Sequence, residues 1–571
     1  MVLLSFGTTI ERSIHERVMR AKLLIEQHPF IGLIETVPAY NSLVVCYDPV
    51  QLKNNEATIA ATVIDQLKNI LQKQPITVDA VEEKPVTTIP VCYDETMGID
   101  LQELSTSLQL SIDDIIQLHT NKTYHVFMIG FTPGFPYMGT VDERLITNRK
   151  IKPRLSVPPG TVAIAGNQTG IYPFATPGGW NIIGRTALQL FDADRPSPFL
   201  LKAGDEVQFK AITKNEFENY SSSGIAGEHE NRNSSNRSTK AADEKNKIIQ
   251  LEQCGFLTTL QDTGRKGYLQ FGVSKSGAMD IHATQLANAL VGNELDEVVL
   301  EITQSPHRFH FLQDAVIAFT GAGLQPQNSN DSLQLAQPVF VAKGTVIECK
   351  QPIPGFRLYM AVAGGFAAEE FLQSCSTDLL VQKGGYKGRE LKKNDVLNRR
   401  NSITTVQKKL MKLLQASAAI ELNTALPNYA TGRIRVVPGV EWNELKEASK
   451  HAFTNSSFSV SVQSSRMGYR LNGELLSTST ACEIISSPVT QGTIQLTPSG
   501  EMIVLMADAQ TVGGYPRIAQ VCAADLSILA QKKPGDEIQF QIISLQEAEE
   551  LYEKDIEELK RVKDILDSML T

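Results

Sequence analysis

The sequence predicts an α+β chain that is mainly β, with a small N-terminal α+β module followed by three related β-barrel-like domains. Its 571 residues suggest about four domains, at roughly 150 residues per domain. A β-α-β-β-α pattern opens the chain, and a glycine-rich β-unit then recurs three times. Hydrophobic residues make up 42% and charged residues 20%, which is typical of globular domains with buried cores.

The first part of the chain alternates between strand and helix patterns. Apolar residues recur at helical spacing over 14–25 and again over 59–70. Between them, residues 31–47 hold two apolar runs joined by Pro-Ala-Tyr-Asn-Ser, which is typical of a hairpin. The strand Thr87–Cys92 follows the second helical pattern. This order favours a split βαβ module of the ferredoxin-like type.

Three later segments repeat the same series of features. Each has a strand beginning Gly-Thr, then a glycine pair followed by an aromatic residue, and finally a turn with Asp that leads into the last strand. The glycine pairs are Gly178-Gly179-Trp180, Gly364-Gly365-Phe366 and Gly513-Gly514-Tyr515, and the turns contain Asp205, Asp395 and Asp536. Because these features recur in one order, three related β-barrel domains explain them better than chance matches among 39 glycines.

Changes in composition divide the chain into units. Residues 227–247 have almost no large apolar side chain, so they cannot offset the entropy of ordering, and we expect a flexible linker. An apolar stripe over 545–569 favours a terminal helix docked on the last domain over a coiled coil, because it spans fewer than about four heptads. The predicted units are 1–85 (ferredoxin-like module), 86–213 (first barrel), 214–247 (linker), 248–400 (second barrel), 401–431 (helical connector), 432–544 (third barrel) and 545–571 (C-terminal helix).

Composition excludes several classes of protein. With 54 Lys and Arg against 63 Asp and Glu, the net charge of −9 does not suit a nucleic-acid binder. No apolar run reaches the ~18 residues that a membrane span needs, and we see no secretion signal at the N-terminus. The seven cysteines are scattered, which predicts reduced thiols and a cytoplasmic protein.

Common cofactor motifs are missing from the sequence. It has no Gly-x-x-x-x-Gly-Lys-Ser/Thr loop for nucleotides, no Gly-x-Gly-x-x-Gly dinucleotide loop and no His-Glu-x-x-His zinc motif. The nine histidines do not cluster. We therefore expect no metal site formed by this chain.

Residues 130–186 are dense in Gly, Pro, Arg and amide side chains, which fits an irregular surface in close contact with a ligand. For any single glycine or proline, a structural turn is the simpler explanation. Arg154 and Arg185 offer planar donor forks for a carboxylate or phosphate. The other candidate binding residues here are Gln168, Thr169 and Trp180. His119 is a weaker acid–base candidate, because burial in the core is the more common role for a histidine in this helical context.

Similar blocks in the second half hold further candidates. Asp280 and Asp508 could act as acid–base groups or orient an arginine, although surface ion pairs would use the same residue types. The candidate binding residues are Arg265, Arg466, Gln495, Gln510, Tyr515 and Arg517. Arginine and amide side chains together suit a small ligand that carries an amide.

These blocks resemble two known families. Residues 86–209 resemble the allophanate-hydrolase subunit 1 family, which includes KipI and the B subunit of 5-oxoprolinase, through the motifs GFTPGFPYMG and PGGWNIIGRT. Residues 250–542 resemble the subunit 2 family, which includes KipA and the C subunit of 5-oxoprolinase, through RMGYRL and DAQTVGGYP. The resemblance implies a ferredoxin-like module and three cyclophilin-like β-barrels, one in the first half and two in the second.

The resemblance also implies an activity. It points to a component of 5-oxoprolinase, a hydrolase that opens 5-oxo-L-proline to L-glutamate with ATP and Mg²⁺, together with a LamB/YcsF-type A subunit. A lactam is a poor electrophile, so phosphorylating its carbonyl oxygen creates a leaving group, and Arg and amide donors would stabilise the developing charge. The candidate residues given above are those we expect to bind this small lactam or amide.

Two alternatives stay open. One is the carboxyltransferase part of a biotin-dependent urea or amide carboxylase, or of an allophanate hydrolase-type system. This chain has no biotin-carrier segment, so we expect no covalently bound biotin on it. The other is a KipI/KipA-like regulator of a histidine kinase. A homo-oligomer is compatible with every one of these functions.

Overall fold

A computed structural model describes residues 1–52, 58–72, 85–223, 246–329, 331–416, 426–479 and 484–570. Within these ranges the chain forms a small α+β module, a closed barrel, a pair of sheets and a second closed barrel, in that order. Each unit buries its own apolar cluster. None of the helices in these ranges has the length and hydrophobicity of a membrane-spanning segment.

The N-terminal module has a three-stranded sheet packed with two helices. Its elements are β1 (Val2–Ser5), α1 (Arg12–Gln27), β2 (Leu33–Pro38), β3 (Ser42–Tyr47) and α2 (Ile59–Gln72). Both outer strands run antiparallel to β3 in the order β1-β3-β2, so β1, α1 and β2 form a split βαβ unit. The predicted helices and hairpin are confirmed. The further strand predicted after the second helix, Thr87–Cys92, pairs in the first barrel instead, so the sheet described for this module has three strands. Residues 73–84 lie outside the described ranges.

The first closed barrel follows the module. The elements are β4 (Val86–Cys92), α3 (Leu101–Leu108), α4 (Ile112–Thr120), β5 (Thr123–Ile129), β6 (Pro136–Gly139), β7 (Arg154–Val157), β8 (Thr161–Ala165), β9 (Gln168–Ile171), β10 (Thr176–Gly178), β11 (Asn181–Arg185), β12 (Glu206–Ile212) and α5 (Lys214–Ser223). Seven strands close in the order β11-β4-β12-β5-β6-β9-β8. Strand β4 thus belongs to the barrel, where it pairs in parallel with β12. A capping box between Ser111 and Asp114 starts α4.

The middle unit consists of two sheets around one core. The elements are β13 (Lys247–Gln253), β14 (Thr258–Gln261), α6 (Ile281–Leu290), β15 (Val299–Thr303), β16 (His307–Phe311), β17 (Ala315–Gly321), β18 (Leu324–Asn328), β19 (Asp331–Ser332), β20 (Pro338–Val341), β21 (Val346–Pro352), β22 (Arg357–Val362), β23 (Val396–Asn398) and α7 (Thr405–Gln415). The sheet orders are β19-β18-β21-β16-β13-β23 and β14-β15-β22-β17-β20. Leu251 and Phe309 of the first sheet pack with Ile302 and Met360 of the second.

The closed barrel predicted for this unit is not formed by its described residues. Strand β23 pairs antiparallel with β13 at the edge of one sheet. The two sheets remain separate ladders with their own edge strands. Apolar side chains from the facing surfaces of both sheets pack into one cluster.

The second closed barrel ends the chain. The elements are β24 (Arg433–Pro438), α8 (Glu447–Asn455), β25 (Phe458–Val460), β26 (Gly468–Asn472), β27 (Ser487–Pro488), β28 (Thr493–Leu496), β29 (Met502–Leu505), β30 (Val512–Gly513), β31 (Arg517–Val521), α9 (Ala523–Ala530), β32 (Glu537–Ile542) and α10 (Leu545–Leu570). The barrel order is β24-β31-β28-β29-β26-β25-β32. Its first and last strands pair in parallel, as β4 and β12 do in the first barrel. The repeat predicted from sequence therefore corresponds to a shared closure in these two units.

The turn before the last strand explains part of the repeated motif. Gly204 and Gly535 have φ angles of 88° and 91°, a conformation that glycine adopts without strain. The middle unit has Asn394 at this place with a φ of 72°, which asparagine tolerates better than most residues. The Asp after each of them accepts a hydrogen bond from the backbone N–H three residues earlier, at 2.9, 2.7 and 3.1 Å. The repeated motif is a turn-forming signature.

Helices connect and brace the units. The predicted linker 214–247 begins with α5, and its residues 224–245 lie outside the described ranges. Helix α7 lies in the predicted connector 401–431. The C-terminal α10 is docked, as predicted, but it packs on α6 and α7 as well as on α9. Its Leu559 and Leu566 lie in the same apolar cluster as residues of α6.

The two halves of the chain meet in a tightly packed junction. Phe199 stacks on Phe271, with ring centroids 4.4 Å apart and planes 7° from parallel. A Cβ on Gly130 would lie 2.2 Å from Cγ2 of Val512, and one on Gly272 would lie 2.4 Å from a backbone oxygen of the first barrel. The halves approach this closely only because these positions are glycine.

The core of the second barrel generates a stability prediction. Phe540 is buried and stacks on Phe453, with ring centroids 4.6 Å apart. We expect Phe540→Ala to lower the free energy of unfolding by about 3–5 kcal/mol, because the missing ring leaves a cavity. Phe256→Ala is the control, since that ring is exposed, and it should change the free energy by less than about 0.5 kcal/mol. Urea unfolding followed by circular dichroism measures both, and equal losses would contradict the prediction.

Candidate functional site

A buried arginine joins the middle unit to the second barrel. Nε and Nη2 of Arg466 donate to the two carboxylate oxygens of Asp508, at 2.8 and 3.1 Å. Its Nη1 donates to Glu301 on β15, and Nη2 also donates to the Gly277 carbonyl at 2.5 Å. Burial opposes the charged form of Arg466, but the two carboxylates outweigh it and raise the pKa of the guanidinium. The two carboxylates therefore fix the orientation of this arginine.

The carboxylate of Glu301 is fully bonded. One of its oxygens accepts from the backbone N–H of Met279 at 2.7 Å and from the Tyr359 hydroxyl at 2.9 Å. The other oxygen accepts from Arg466. A buried carboxylate with three donors is satisfied without water. Sequence analysis did not single out Glu301 as a site residue, although an acidic residue within an apolar strand is a usable signal.

Asp280 is completely buried and caps a helix. One carboxylate oxygen accepts from the backbone N–H of Ala283 at 2.9 Å, which caps α6. The other accepts from the side-chain amide of Gln531 at 3.0 Å, just after α9 of the second barrel. Burial raises the pKa of Asp280, and these two hydrogen bonds oppose the rise. The structure gives Asp280 a positioning role between two units.

Asp508 belongs to a group of charged residues that also includes Arg265 and Asp378. Its side chain is 22% exposed. Behind it, buried Arg265 donates to the carbonyls of Ser376 and Phe371 at 2.9 and 3.2 Å and lies 3.5 Å from Oδ2 of Asp378. Burial lowers the pKa of Arg265 and raises that of Asp378. The negative charge of Asp508 raises the pKa of Asp378 further.

The side chains of Gln495 and Gln510 both lie beside Gly513. A Cβ on Gly513 would lie 2.5 Å from Nε2 of Gln495 and 3.2 Å from Nε2 of Gln510. Gln495 also points its amide at the Tyr515 carbonyl, at 3.5 Å. Two amide donors beside a bare backbone segment can bind a small carbonyl compound.

Arg517 is held by an ion pair. Its Nε and Nη2 donate to the two carboxylate oxygens of Glu441 at 3.0 and 2.6 Å, and its backbone N–H donates to the same carboxylate at 2.8 Å. The donor fork of this arginine is thus occupied by the protein itself. Sequence analysis missed Glu441, which lies far from Arg517 along the chain.

An aromatic cluster covers one side of the first barrel. The ring of Phe135 lies 4.8 Å from Tyr137, 5.1 Å from Tyr172 and 5.8 Å from Trp180, measured between centroids. Small residues on β8 back these rings. Gly170 leaves room for these rings, since a Cβ there would lie 3.1 Å from the Trp180 ring. Phe135, Tyr172 and Trp180 are buried, so these rings form a compact aromatic core at this end of the barrel.

Arg154 lies beside this aromatic cluster, and only one of its two terminal nitrogens has a hydrogen-bond partner among the described residues. Its Nη2 donates to Oδ1 of Asp100 at 2.6 Å. Its Nη1 is buried and has no hydrogen-bond partner among the described residues, and the same holds for the hydroxyl of Thr176 on β10. An uncompensated buried guanidinium N–H is a strong candidate for binding an anionic ligand.

The remaining predicted residues of the first barrel have structural partners. His119 Nε2 lies 2.9 Å from the Thr169 hydroxyl, and its Nδ1 lies 2.7 Å from the Tyr93 hydroxyl. Burial lowers the pKa of His119 to about 3, so its ring is neutral near pH 7. Arg185 donates to a backbone carbonyl at 2.8 Å. Gln168 is half-buried and faces the Tyr40 phenol.

The junction brings the two candidate regions close to each other. Tyr137 of the aromatic cluster also packs on an apolar cluster that contains Tyr40 and Val512. Val512 packs against Gly130 of the first barrel, and its neighbour Gly513 lies beside Gln495 and Gln510. Packing contacts thus connect the aromatic cluster to the segment that carries Gln510 and Val512.

Several buried hydroxyls around the junction lack partners among the described residues. They are those of Ser42, Thr132, Ser487 and Thr511. Buried hydroxyl groups in native proteins are bonded to protein, ordered water or ligand. A concentration of such groups where three units meet favours a site that holds water or a polar ligand.

A second buried chain of polar groups was missed by sequence analysis. Nδ1 of His15 lies 2.8 Å from Nε2 of His125, whose Nδ1 lies 2.9 Å from Oε1 of Glu206. Arg12 also reaches Glu206, at 2.9 Å. Because a carboxylate only accepts, Nδ1 of His125 carries a proton. His15 lies among the apolar positions of α1, and this pattern resembles an ordinary core face.

Metal binding has no obvious site in the described ranges. No group of three or more His, Cys, Asp and Glu side chains in them could hold a metal ion. The six cysteines that the structure describes are free thiols.

Comparison with family models covers most of the chain. Residues 271–542 match a model described as carboxyltransferase domain, subdomain A and B. Residues 1–201 match a model described as carboxyltransferase domain, subdomain C and D. The two matches fall on either side of the predicted linker.

Individual relatives divide the chain in the same way. The C subunit of 5-oxoprolinase from Escherichia coli K12 is 39% identical over 301 residues, 53% of this chain and 93% of that protein. The B subunit of 5-oxoprolinase from Bacillus subtilis 168 is 39% identical over 221 residues, 38% of this chain and 92% of that protein. Urea amidolyase of Lachancea kluyveri is 32% identical over 329 residues, 54% of this chain but 18% of that protein.

A solved structure resembles the whole chain. The protein TTHA0988 matches with a TM-score of 0.76 and 31% identity, over 95% of this chain and 99% of that one. The resemblance stated from the sequence motifs is confirmed. The chain belongs to the carboxyltransferase-domain family that includes the B and C subunits of 5-oxoprolinase.

Proposed function

We propose that this chain combines the B and C parts of an ATP-dependent 5-oxoprolinase. It would open 5-oxo-L-proline to L-glutamate together with a LamB/YcsF-type A subunit. One observation carries the proposal: a single chain holds counterparts of both the B and the C parts, each matched over more than nine-tenths of the relative. The two parts pack through a junction at which polar groups from both gather.

The substrate fits the chemistry of the aromatic cluster. 5-Oxoproline is a small ring that carries a carboxylate and a lactam amide. The free Nη1 of Arg154 would bind the carboxylate, and the ring would lie against Trp180 and Tyr137. Gln168, at the edge of this region, would bond the lactam amide.

The second half would act on the lactam carbonyl. ATP would supply the phosphoryl group that turns the carbonyl oxygen into a leaving group, and it would bind in the complex of this chain with its partner protein. Gln495 and Gln510 would stabilise charge that develops on oxygen, because preorganised amide donors do this well in a site that excludes water. Asp508, oriented by Arg466, is the proposed proton acceptor.

A second candidate is biotin-dependent carboxyl transfer. It is favoured by the family models, which are described as carboxyltransferase domains, and by the match to urea amidolyase. The substrate amide would then attack a carboxyl group on biotin carried by another chain. Both candidates place a small amide in the same region.

The first prediction concerns the reaction. A mixture of this chain and a purified LamB/YcsF-type partner should release glutamate from 5-oxo-L-proline, ATP and Mg²⁺. Neither protein alone should do so, because each holds part of the site. Glutamate is measured enzymatically, with ATP omitted as the control. If the mixture releases none, while carboxybiotin and urea or another amide give a carboxylated product, carboxyl transfer is the correct function.

The second prediction concerns the carboxylate of the substrate. Arg154→Gln should raise KM for 5-oxo-L-proline about tenfold or more and change kcat little, because it removes a charge-assisted hydrogen bond of about 1.5–3 kcal/mol. Asp100 keeps Lys150 at 3.2 Å, so the barrel should stay folded. Arg144→Gln is the matched control, since this exposed arginine pairs with Asp142 on the surface. An unchanged KM in Arg154→Gln would contradict the assignment.

The third prediction concerns proton transfer. Asp508→Asn should lower kcat about 10²-fold or more, because it removes a base while keeping an oxygen that accepts from Arg466. Asp567→Asn makes the same change on the exposed face of α10 and should leave kcat unchanged. Thermal unfolding of both variants separates loss of chemistry from loss of fold. Wild-type kcat in Asp508→Asn would remove this residue from the mechanism.

A further inference from the structure

An exposed surface of the first barrel combines apolar and basic side chains. Residues 146–155 carry four cationic residues and no carboxylate, in a chain whose net charge is −9. Within this stretch Ile151 is fully exposed and Leu155 is 92% exposed. The basic–apolar patch consists of Ile99, Ile146, Ile151, Leu155, Arg149, Lys150 and Lys152.

The patch is anchored to the barrel. The carboxylate of Asp100, next to Ile99, lies 3.2 Å from Nζ of Lys150 and 2.6 Å from Nη2 of Arg154. The same carboxylate accepts from the backbone N–H of Ile182 at 2.7 Å. The backbone N–H of Lys150 donates to the Gly179 carbonyl at 2.7 Å. These bonds fix the backbone segment that carries the exposed side chains before any partner arrives, which lowers the entropy cost of binding.

The composition of the patch indicates the kind of partner that it fits. Large aliphatic side chains this exposed gain free energy when another surface covers them. Lys150 already pairs with Asp100 and Glu103, at 3.2 and 2.7 Å. The charges of Arg149 and Lys152 favour carboxylates on that surface, since like charges would repel it. Arg149 lies close enough to Tyr137 and Tyr172 of the aromatic cluster to influence their pKa values. A protein bound to the patch would therefore lie beside the proposed substrate region.

We propose that the basic–apolar patch is the docking surface for the LamB/YcsF-type partner, which would present acidic and aliphatic side chains to it. The proposal takes its partner from the proposed function. Docking here would place that partner next to Arg154 and Trp180, so that a substrate bound there is enclosed by two proteins. It would also explain why Ile151 and Leu155 project into solvent in the isolated chain.

Binding of the purified full-length chain to the purified LamB/YcsF-type partner tests the proposal by isothermal titration calorimetry. The double variant Ile151→Ser/Leu155→Ser should raise Kd at least about tenfold, because well-buried aliphatic contacts dominate interface energy. Lys152→Glu should weaken binding and reduce its salt dependence. The matched control is Phe256→Ser/Val462→Ser, which removes two similarly exposed side chains elsewhere and should keep the wild-type Kd.

Each outcome supports or overturns the proposal. Weaker binding by the patch variant with wild-type binding by the control supports it. Equal Kd values for wild type and patch variant overturn it, as does a wild-type chain that fails to bind the partner. If the patch variant alone changes from oligomer to monomer in sedimentation, the occupant is a second copy and the proposal is wrong.

The glutamate assay keeps this test separate from that of the proposed function. At partner concentrations far above the raised Kd, the patch variant should recover the wild-type rate of glutamate release. If the patch variant binds weakly while even the wild-type complex releases no glutamate, the docking proposal is supported and the proposed 5-oxoprolinase activity is wrong. If the patch variant binds normally and releases glutamate normally, the docking proposal is wrong and the proposed 5-oxoprolinase activity is supported.

Discussion

The contact between the two units of the second half depends on the buried positive charge of Arg466. Arg466 is almost inaccessible to water, so it needs Glu301 from the middle unit and Asp508 from the second barrel. Removing one partner from a buried ion pair typically costs about 3–5 kcal/mol, because the other charge stays buried. Separating the two units therefore has a high free-energy cost. The segment from Asp508 to Val512 starts at this arginine and ends at the junction with the first barrel, so the candidate site depends on the same charge.

Much of the fold could be predicted because it is encoded locally. Helix α1 follows from apolar spacing, and the closing turns follow from Gly204, Gly535 and Asn394, whose backbone conformation few residues adopt. The shape of the middle unit could not be predicted this way. Its sequence repeats the local features of the barrels, but closure depends on which strands pair across the chain, and β23 pairs antiparallel with β13. No local pattern specifies that choice.

The candidate site was predictable in residue type and less so in role. The motifs single out both Arg154 and Arg517, but only distances show that Arg154 has a free N–H while Arg517 is held by its own ion pair. His119 lies in the barrel core between two hydroxyls, which a helical pattern alone cannot distinguish from an active-site position. The contact of Glu206 with His125 gives no sequence signal, since the two residues lie far apart along the chain.

The tight junction at Gly130 and Gly272 has a consequence for assembly. When such a contact joins two separate proteins, its occupancy depends on how much of each the cell makes. In one chain the contact forms at an effective concentration typically on the order of millimolar, and the parts are always present in equal number. Dilution cannot dissociate it, and imbalance in synthesis cannot leave one part without the other. Selection can therefore tolerate weaker contacts at Phe199 and Phe271 here than between free-standing proteins.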